Sequence, residues 1–132
     1  MKKITLILML TIVLGVLGGC ALSQKDKDLI NSGDYGVYPD SYEDIIKAYF
    51  EKVLFDPFSA HYKFTTPERG FLRKAPIAGG GVSTLGYRVV VEVNAKNRMG
   101  GYVGWSTYIF FIRNNQIINV AQGSDSNIWL RN

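Results

Sequence analysis

Two strongly β-forming runs constrain the fold of this 132-residue chain more than any other feature of it. The first run, YRVVVEVN at 87–94, alternates so that Val89, Val91 and Val93 share one face of a strand. The second run, TYIFFIR at 107–113, is apolar on both faces, as is typical of a central strand. The Asn114-Asn115 pair that follows predicts a two-residue hairpin turn, because asparagine tolerates a positive φ.

The surrounding segments predict the remaining elements of an α+β domain over residues 39–123. Asp40 and Glu43 predict a capping box at the start of an amphipathic helix, which should end near Phe55 because Asp56 precedes a proline. Asp56 is then expected to cap one further short turn. Residues 61–66 and 116–121 predict two more strands, and 67–86 predicts a long loop. We therefore expect one amphipathic helix packed on a three- to four-stranded antiparallel sheet.

The N-terminus predicts an export signal. Lys2 and Lys3 precede an apolar run from about residue 4 to 17, which is short for a membrane-spanning helix of ~20 residues. The stretch that follows, LGGC at 17–20, resembles the lipobox of bacterial lipoproteins. That resemblance implies a signal peptide at 1–19, cleavage before Cys20, a diacylglyceryl group on its thiol and acylation of its amine. The alternative is an uncleaved signal anchor with an incidental cysteine.

The expected mature chain begins with a lipidated tether. Residues 20–38 mix charge, glycine and serine without a sustained period, which predicts a flexible segment with a reach of roughly 23 Å. The residue after Cys20 is Ala21, where the inner-membrane retention signal has aspartate, so we expect the periplasmic face of the outer membrane. At the other end, residues 124–132 form a tail whose Ile128-Trp129-Leu130 triplet either docks on the domain or acts as a short binding peptide.

Composition excludes several classes of function. Cys20 is the only cysteine, so a structural disulfide, a cysteine metal site and a catalytic thiol are excluded. Removal of Lys2 and Lys3 with the signal leaves 15 − 2 = 13 basic residues against 11 acidic residues, a balance of +2 that does not predict nucleic-acid binding. No metal site is expected, because His61 has neither a second histidine nor a free cysteine as a partner.

The stretch VNAKNRMGGYVGW at 93–105 is the main candidate for a functional site, and two interpretations remain open. It is a hairpin connection if Asn94, Asn97, Gly100 and Gly101 serve only to free the backbone. It is a recognition edge if its cations and aromatic rings contact a partner, because such pairs are common in interfaces. The side chains that would form this edge are Lys96, Arg98, Tyr102 and Trp105. The stretch contains no phosphate-binding glycine motif.

The same stretch carries a second resemblance. DPFSAHYKF at 56–64, placed after an amphipathic helix and followed by VNAKNRMGGYVGW, is similar to a pattern of DPxSA and VNAKNxxGGYxG motifs in small exported bacterial proteins. The resemblance spans residues 42–112 and implies a common fold, with no activity or catalytic residues attached. A Cys-Gly pair often precedes the Glu-Val-Asn in that family, whereas Val90 and Val91 stand here, so a shared thiol function is excluded.

Two smaller groups of residues are further candidate sites. Asp56, Ser59 and His61 fall within six positions, too close along the chain for a catalytic triad, which favours a turn cap beside a surface histidine. The basic segment around Phe71 is expected to be solvated, with an anionic partner such as lipid A phosphates or an acidic protein face as the alternative. Its cations are Arg69, Arg73 and Lys74.

These observations together predict a non-enzymatic lipoprotein that acts as an interaction or scaffold module in the cell envelope. Its expected partners are the membrane, through Cys20, and an envelope protein, with no cofactor. The alternative is a periplasmic binder of a glycan such as peptidoglycan, or of a small ligand, with Tyr102 and Trp105 as stacking rings. An envelope hydrolase is a third, disfavoured hypothesis.

Overall fold

The computed structural model describes residues 21–123 and 127–131. The elements, in chain order, are α1 (Gln24–Ser32), α2 (Tyr42–Val53), β1 (Asp56–Phe64), β2 (Glu68–Arg73), β3 (Val82–Lys96), β4 (Ser106–Arg113), β5 (Gln116–Gln122) and β6 (Ile128–Leu130). The predicted α+β class is confirmed, but the sheet has six antiparallel strands and two helices accompany it. The predicted signal peptide at 1–19 and the lipidation site Cys20 lie outside the described residues.

The long strand β3 organises the sheet. The strand order is β5-β4-β3-β2-β6, and β1 also pairs with β3. One edge of β3 serves two strands, because β2 pairs with its first half, as far as Arg88, and β1 pairs with its second half, from Val91. At ~3.3 Å per residue, the fourteen steps from Val82 to Lys96 span at most about 46 Å. The strand therefore runs from one end of the sheet to the other.

The predicted valine face forms the main core. Val89, Val91 and Val93 are buried beneath α2, where they pack with Ile46, Phe50, Phe110 and Ile112. The Phe50 and Phe110 rings meet edge to face, with their centroids 5.6 Å apart. The hairpin between β4 and β5 is also confirmed, since Asn114 and Asn115 have φ values of 51° and 59°.

The ends of α2 differ from the prediction. The residue before the helix is Ser41, and no side chain caps it, so the predicted capping box of Asp40 and Glu43 is wrong. The start of the helix is held instead by the fully buried Pro39, whose carbonyl accepts the N–H of Tyr42 at 3.0 Å. The helix ends at Val53, and the chain then enters β1 at Asp56. The predicted cap from Asp56 to the N–H of Ser59 is present, but it lies in an irregular part of β1 and not in a separate helical turn.

The segment predicted as a flexible tether contains α1 and is attached to the sheet. Ser23 and Asp26 form a capping box at its start, and Asp26 also accepts the N–H of Val82 at 3.0 Å. Ile30 and Tyr35 are buried against the first half of β3. The Tyr35 hydroxyl donates to the carbonyl of Ile30 at 2.6 Å. Because these contacts reach residues fifty positions away, α1 belongs to the folded domain.

The predicted long loop at 67–86 is also mostly strand. Phe71 of β2 pairs with Leu85 of β3, and both side chains are buried under α1. Only the stretch between Arg73 and Val82 connects the two strands, with a short 3-10 turn at Pro76–Ala78. Gly86 lies within β3, and a glycine at this position makes the first part of that strand hard to predict from the sequence. Glycine is nevertheless required there, because a Cβ would lie 2.7 Å from the ring of Phe111.

The C-terminal triplet docks as β6, which resolves the two predicted alternatives for the tail in favour of docking. Ile128 pairs with Leu72 of β2 and is buried with Ile109 and Phe111 on the face opposite the helices. The Asn119 side chain of β5 donates to Asn127, just before β6, at 3.2 Å. β5 and β6 are the two outermost strands in the order, so a bond between them requires the sheet to curl. The curled sheet encloses Phe111.

Candidate functional site

The stretch at 97–105 forms the connection between β3 and β4. The Asn97 side chain accepts the N–H groups of Met99 and Gly101, and Gly100 has a φ of +79°. Gly101 does not adopt a positive φ, contrary to the expectation that both glycines free the backbone. Gly104 does so instead, at +96°, and its N–H donates to the Asn94 side chain at 3.1 Å. The loop therefore has an internally bonded backbone.

The four predicted recognition residues lie around this loop, but they do not converge on one point. The ammonium of Lys96 lies 5.5 Å from the ring centroid of Tyr102. Arg98 lies over the ring of Phe55 at 5.7 Å, and Trp105 receives the ammonium of Lys63 at 4.1 Å. Such cation–ring contacts contribute about 0.5–1 kcal/mol each at exposed sites. They form a row of separate contacts along the end of β3.

Three residues near this row were missed by the sequence prediction. Phe55 lies between α2 and β1, while Phe58 and Lys63 belong to β1, which pairs with the last residues of β3. Phe55 and Phe58 lie on either side of the Asp56-Pro57 pair. This pair of phenylalanines beside the predicted end of the helix is the sequence signal that could have indicated them as site residues.

The loop is fixed to β1 through Tyr102. The Tyr102 hydroxyl donates to the carbonyl of Ser59 at 3.1 Å, and the Nε2 of His61 lies 3.0 Å from the same hydroxyl oxygen. Because that hydroxyl has only one hydrogen, its oxygen accepts from His61 with the proton on Nε2. Tyr102 is thus held in place while its ring remains about half exposed.

The exposed surface at this end of β3 is apolar and cationic. We call it the aromatic edge, and its members are Phe55, Phe58, Met99, Tyr102, Val103 and Trp105. Phe58 is 100% exposed and Met99 is 94% exposed, so neither contributes to the core. Lys63, Lys96 and Arg98 lie over rings of this edge. Large contiguous patches of exposed apolar side chains are typical of interaction surfaces.

The polar groups near the edge are used for backbone geometry. The Ser59 hydroxyl donates to the carbonyl of Asp56 at 2.8 Å and accepts the N–H of Lys96 at 2.9 Å. The carboxylate of Asp56 accepts the N–H of Ser59, as expected of a turn cap. His61 is exposed and faces Tyr102, so it makes no hydrogen bond to Ser59 that would activate a nucleophile.

Across residues 21–123 and 127–131, no group of three or more histidine, cysteine or acidic residues is arranged to hold a metal ion. The helices in this part of the chain are all too short or too polar to span a membrane. No protein-family model, curated protein or solved structure matches the chain.

Proposed function

We propose that this protein is a lipid-anchored lipoprotein of the cell envelope that acts as a non-enzymatic interaction module, with the aromatic edge as its contact surface. The observation that carries the proposal is the collection of six exposed large apolar side chains at one end of β3, drawn from two separate stretches of the chain. The few residues that supply most of the binding free energy in protein interfaces are enriched in tryptophan, tyrosine and arginine. The edge contains Trp105 and Tyr102, and Arg98 lies over its Phe55 ring.

The envelope location rests on the sequence. The lipobox at 17–20 supports acylation of Cys20, and Ala21 supports the periplasmic face of the outer membrane. Several acyl chains on one cysteine anchor a protein stably, whereas a single chain binds only marginally. A protein held in this way meets its partner at a fixed height above the membrane, which suits a scaffold or accessory role in an envelope assembly.

The edge favours a protein partner over a glycan. A sugar ring stacks on an open aromatic face, but lysines already lie over the rings of Trp105 and Tyr102. The edge also contains two almost fully exposed apolar side chains, Phe58 and Met99. Burial of these two against an apolar surface would contribute the most favourable free energy of binding. Glycan or small-ligand binding through Tyr102 and Trp105 remains the alternative that the experiment must separate.

Site-specific photo-crosslinking in intact cells tests this function. A photo-reactive residue at Phe58 should give a discrete protein adduct, while one at Ile118, which is 47% exposed on β5, should give none. In protein without a photo-reactive residue, Phe58→Ser combined with Met99→Ser should abolish the complex with the partner protein without lowering the melting temperature. An adduct of equal yield from both positions would contradict the proposal. Co-sedimentation with purified sacculi that is lost only on Trp105→Ser would establish the glycan alternative.

A further inference from the structure

The position of α1 determines where the proposed anchor meets the folded domain. Ser23 is the N-cap of α1, and Leu22 packs partly against the cluster around Ile30. Ala21, the residue bonded to Cys20, already lies against the domain, where it lines a groove beside Trp129. Consecutive Cα atoms are about 3.8 Å apart. The residue of the proposed lipid attachment, Cys20, is therefore bonded directly to a residue that lines this groove.

That surface contains exposed apolar side chains. Ala21 lines a groove of about 650 Å³ with Pro76 and Trp129, and Leu22 lines a second groove of about 410 Å³ with Trp129 and Leu130. Trp129 thus separates the two grooves and is itself about half exposed. Ile77, in the connection between β2 and β3, is 99% exposed.

The charges around the grooves complement an anionic surface. Arg73 and Lys74 line the first groove, Lys27 lines the second, and the exposed Arg131 follows β6. Asp26, whose carboxylate lies beside Gly81 of the first groove, is already bonded to Ser23 and to the N–H of Val82. Basic side chains close to a bilayer are attracted by anionic headgroups. Tryptophan also favours the boundary between headgroups and acyl chains.

From these contacts we infer that this end of the domain, around Ala21, Ile77 and Trp129, lies on the headgroup layer of the membrane in which Cys20 is anchored. The inference rests on the proposed lipid anchor and adds the orientation of the domain. We call this surface the membrane-facing end. It lies at the start of β3, whereas the aromatic edge lies at the end of the same strand, up to about 46 Å away. The anchor thus directs the aromatic edge toward a partner in the aqueous space.

The chain has two tryptophans, and they provide a matched test. Trp129 belongs to the membrane-facing end, and Trp105 belongs to the aromatic edge. Full-length lipidated protein is reconstituted into vesicles of phosphatidylethanolamine and phosphatidylglycerol, with the phospholipids brominated near the glycerol end of an acyl chain. Trp105→Phe leaves Trp129 as the sole tryptophan, and Trp129→Phe leaves Trp105, with excitation at the red edge of the spectrum, where only tryptophan absorbs. Bromine should reduce the emission of Trp129 by more than about two-fold, because interfacial side chains reach roughly 5–10 Å into this layer. The emission of Trp105 should not change.

A second variant tests the contribution of charge. Lys74→Glu combined with Arg131→Glu should weaken the quenching of Trp129, while the matched change Lys63→Glu at the aromatic edge should not. Protein that floats with the vesicles but shows equal quenching of both tryptophans, or none of Trp129, would overturn the inferred orientation and leave the anchor intact. Protein that takes up no lipid and does not float would overturn the anchor and the orientation together.

Discussion

The carboxylate of Asp26 accepts a hydrogen bond from the backbone N–H of Val82 at 3.0 Å, which joins the first turn of α1 to the first residue of β3. The same carboxylate accepts the hydroxyl of Ser23 at 2.6 Å. The bond from Ser23, followed by that from Val82, lowers the pKa of Asp26 below its ordinary value of 3.8. One ionised side chain therefore caps the helix and attaches it to the sheet.

Acidification should weaken this attachment. Because the folded-state pKa of Asp26 is lowered, its contribution to stability is present above the ordinary pKa and is lost as the pH falls through the folded value. Wild type should melt above Asp26→Asn at neutral pH, and the gap should close as the pH falls below 3.8, the ordinary pKa of this side chain. Thermal melts across this range measure the gap, with the exposed Asp40→Asn as control. A gap that stays constant would show that the charge of Asp26 does not stabilise the fold.

Packing of α1 predicts a large contrast between two adjacent residues. Ile30 is buried against the sheet, while its neighbour Leu29 is 42% exposed. Ile30→Ala should lower the free energy of unfolding by about 2–5 kcal/mol, as is typical of large-to-small changes in a core. Leu29→Ala should cost less than about 1 kcal/mol. Urea titrations compare the two, and equally small effects would mean that residues 24–32 behave as the flexible tether that the sequence predicted.

These two tests concern the part of the fold that the sequence predicted least well. The nine residues of α1 bury only Ile30, so its apolar periodicity is too weak to indicate a helix. Its stability comes from the capping box and from Val82, which is fifty-six positions away. Strand β2 was missed for a related reason, since Gly70 in its middle is typical of a loop. A side chain there would collide with the carbonyl of Trp129, only 2.5 Å from a Cβ.

Other parts of the fold follow directly from local pattern. The alternating valines of β3, the apolar run of β4 and the Asn114-Asn115 turn each carry a signal within a few residues. The candidate site could be predicted only in part. Its loop residues can be identified from composition, but Phe55 and Lys63 reach them only because β1 pairs with the end of β3. Non-local pairing of this kind leaves no periodic signal in the sequence.

The proposed anchor makes a prediction at Cys20, outside the described residues. Cys20→Ser removes the only thiol in the chain, so the precursor should keep its signal peptide and take up no labelled palmitate. Wild type should be labelled and migrate as the shorter mature form. Metabolic labelling followed by gel electrophoresis measures both. Equal palmitate incorporation in the two proteins would contradict the lipoprotein assignment, whatever the outcome for the aromatic edge.

The glycines of the β3–β4 connection separate backbone strain from packing. Gly100 and Gly104 have φ values of +79° and +96°, while Gly101 lies outside the positive region. A Cβ at Gly100 or Gly104 would meet no atom within 4 Å, and one at Gly101 would meet only the Asn97 side chain at 3.9 Å. Steric collision is therefore absent at all three positions, and only the backbone conformation distinguishes them.

Alanine at these positions should consequently have unequal effects. Gly100→Ala and Gly104→Ala should each lower the free energy of unfolding by about 1–2 kcal/mol, the usual cost of a left-handed conformation for a residue with a side chain. Gly101→Ala should change it by less than about 0.5 kcal/mol. Urea unfolding with a constant slope measures the three values. A loss at Gly101 as large as that at Gly100 would show that the loop adopts a different backbone, and the arrangement of Lys96 over Tyr102 would have to be revised with it.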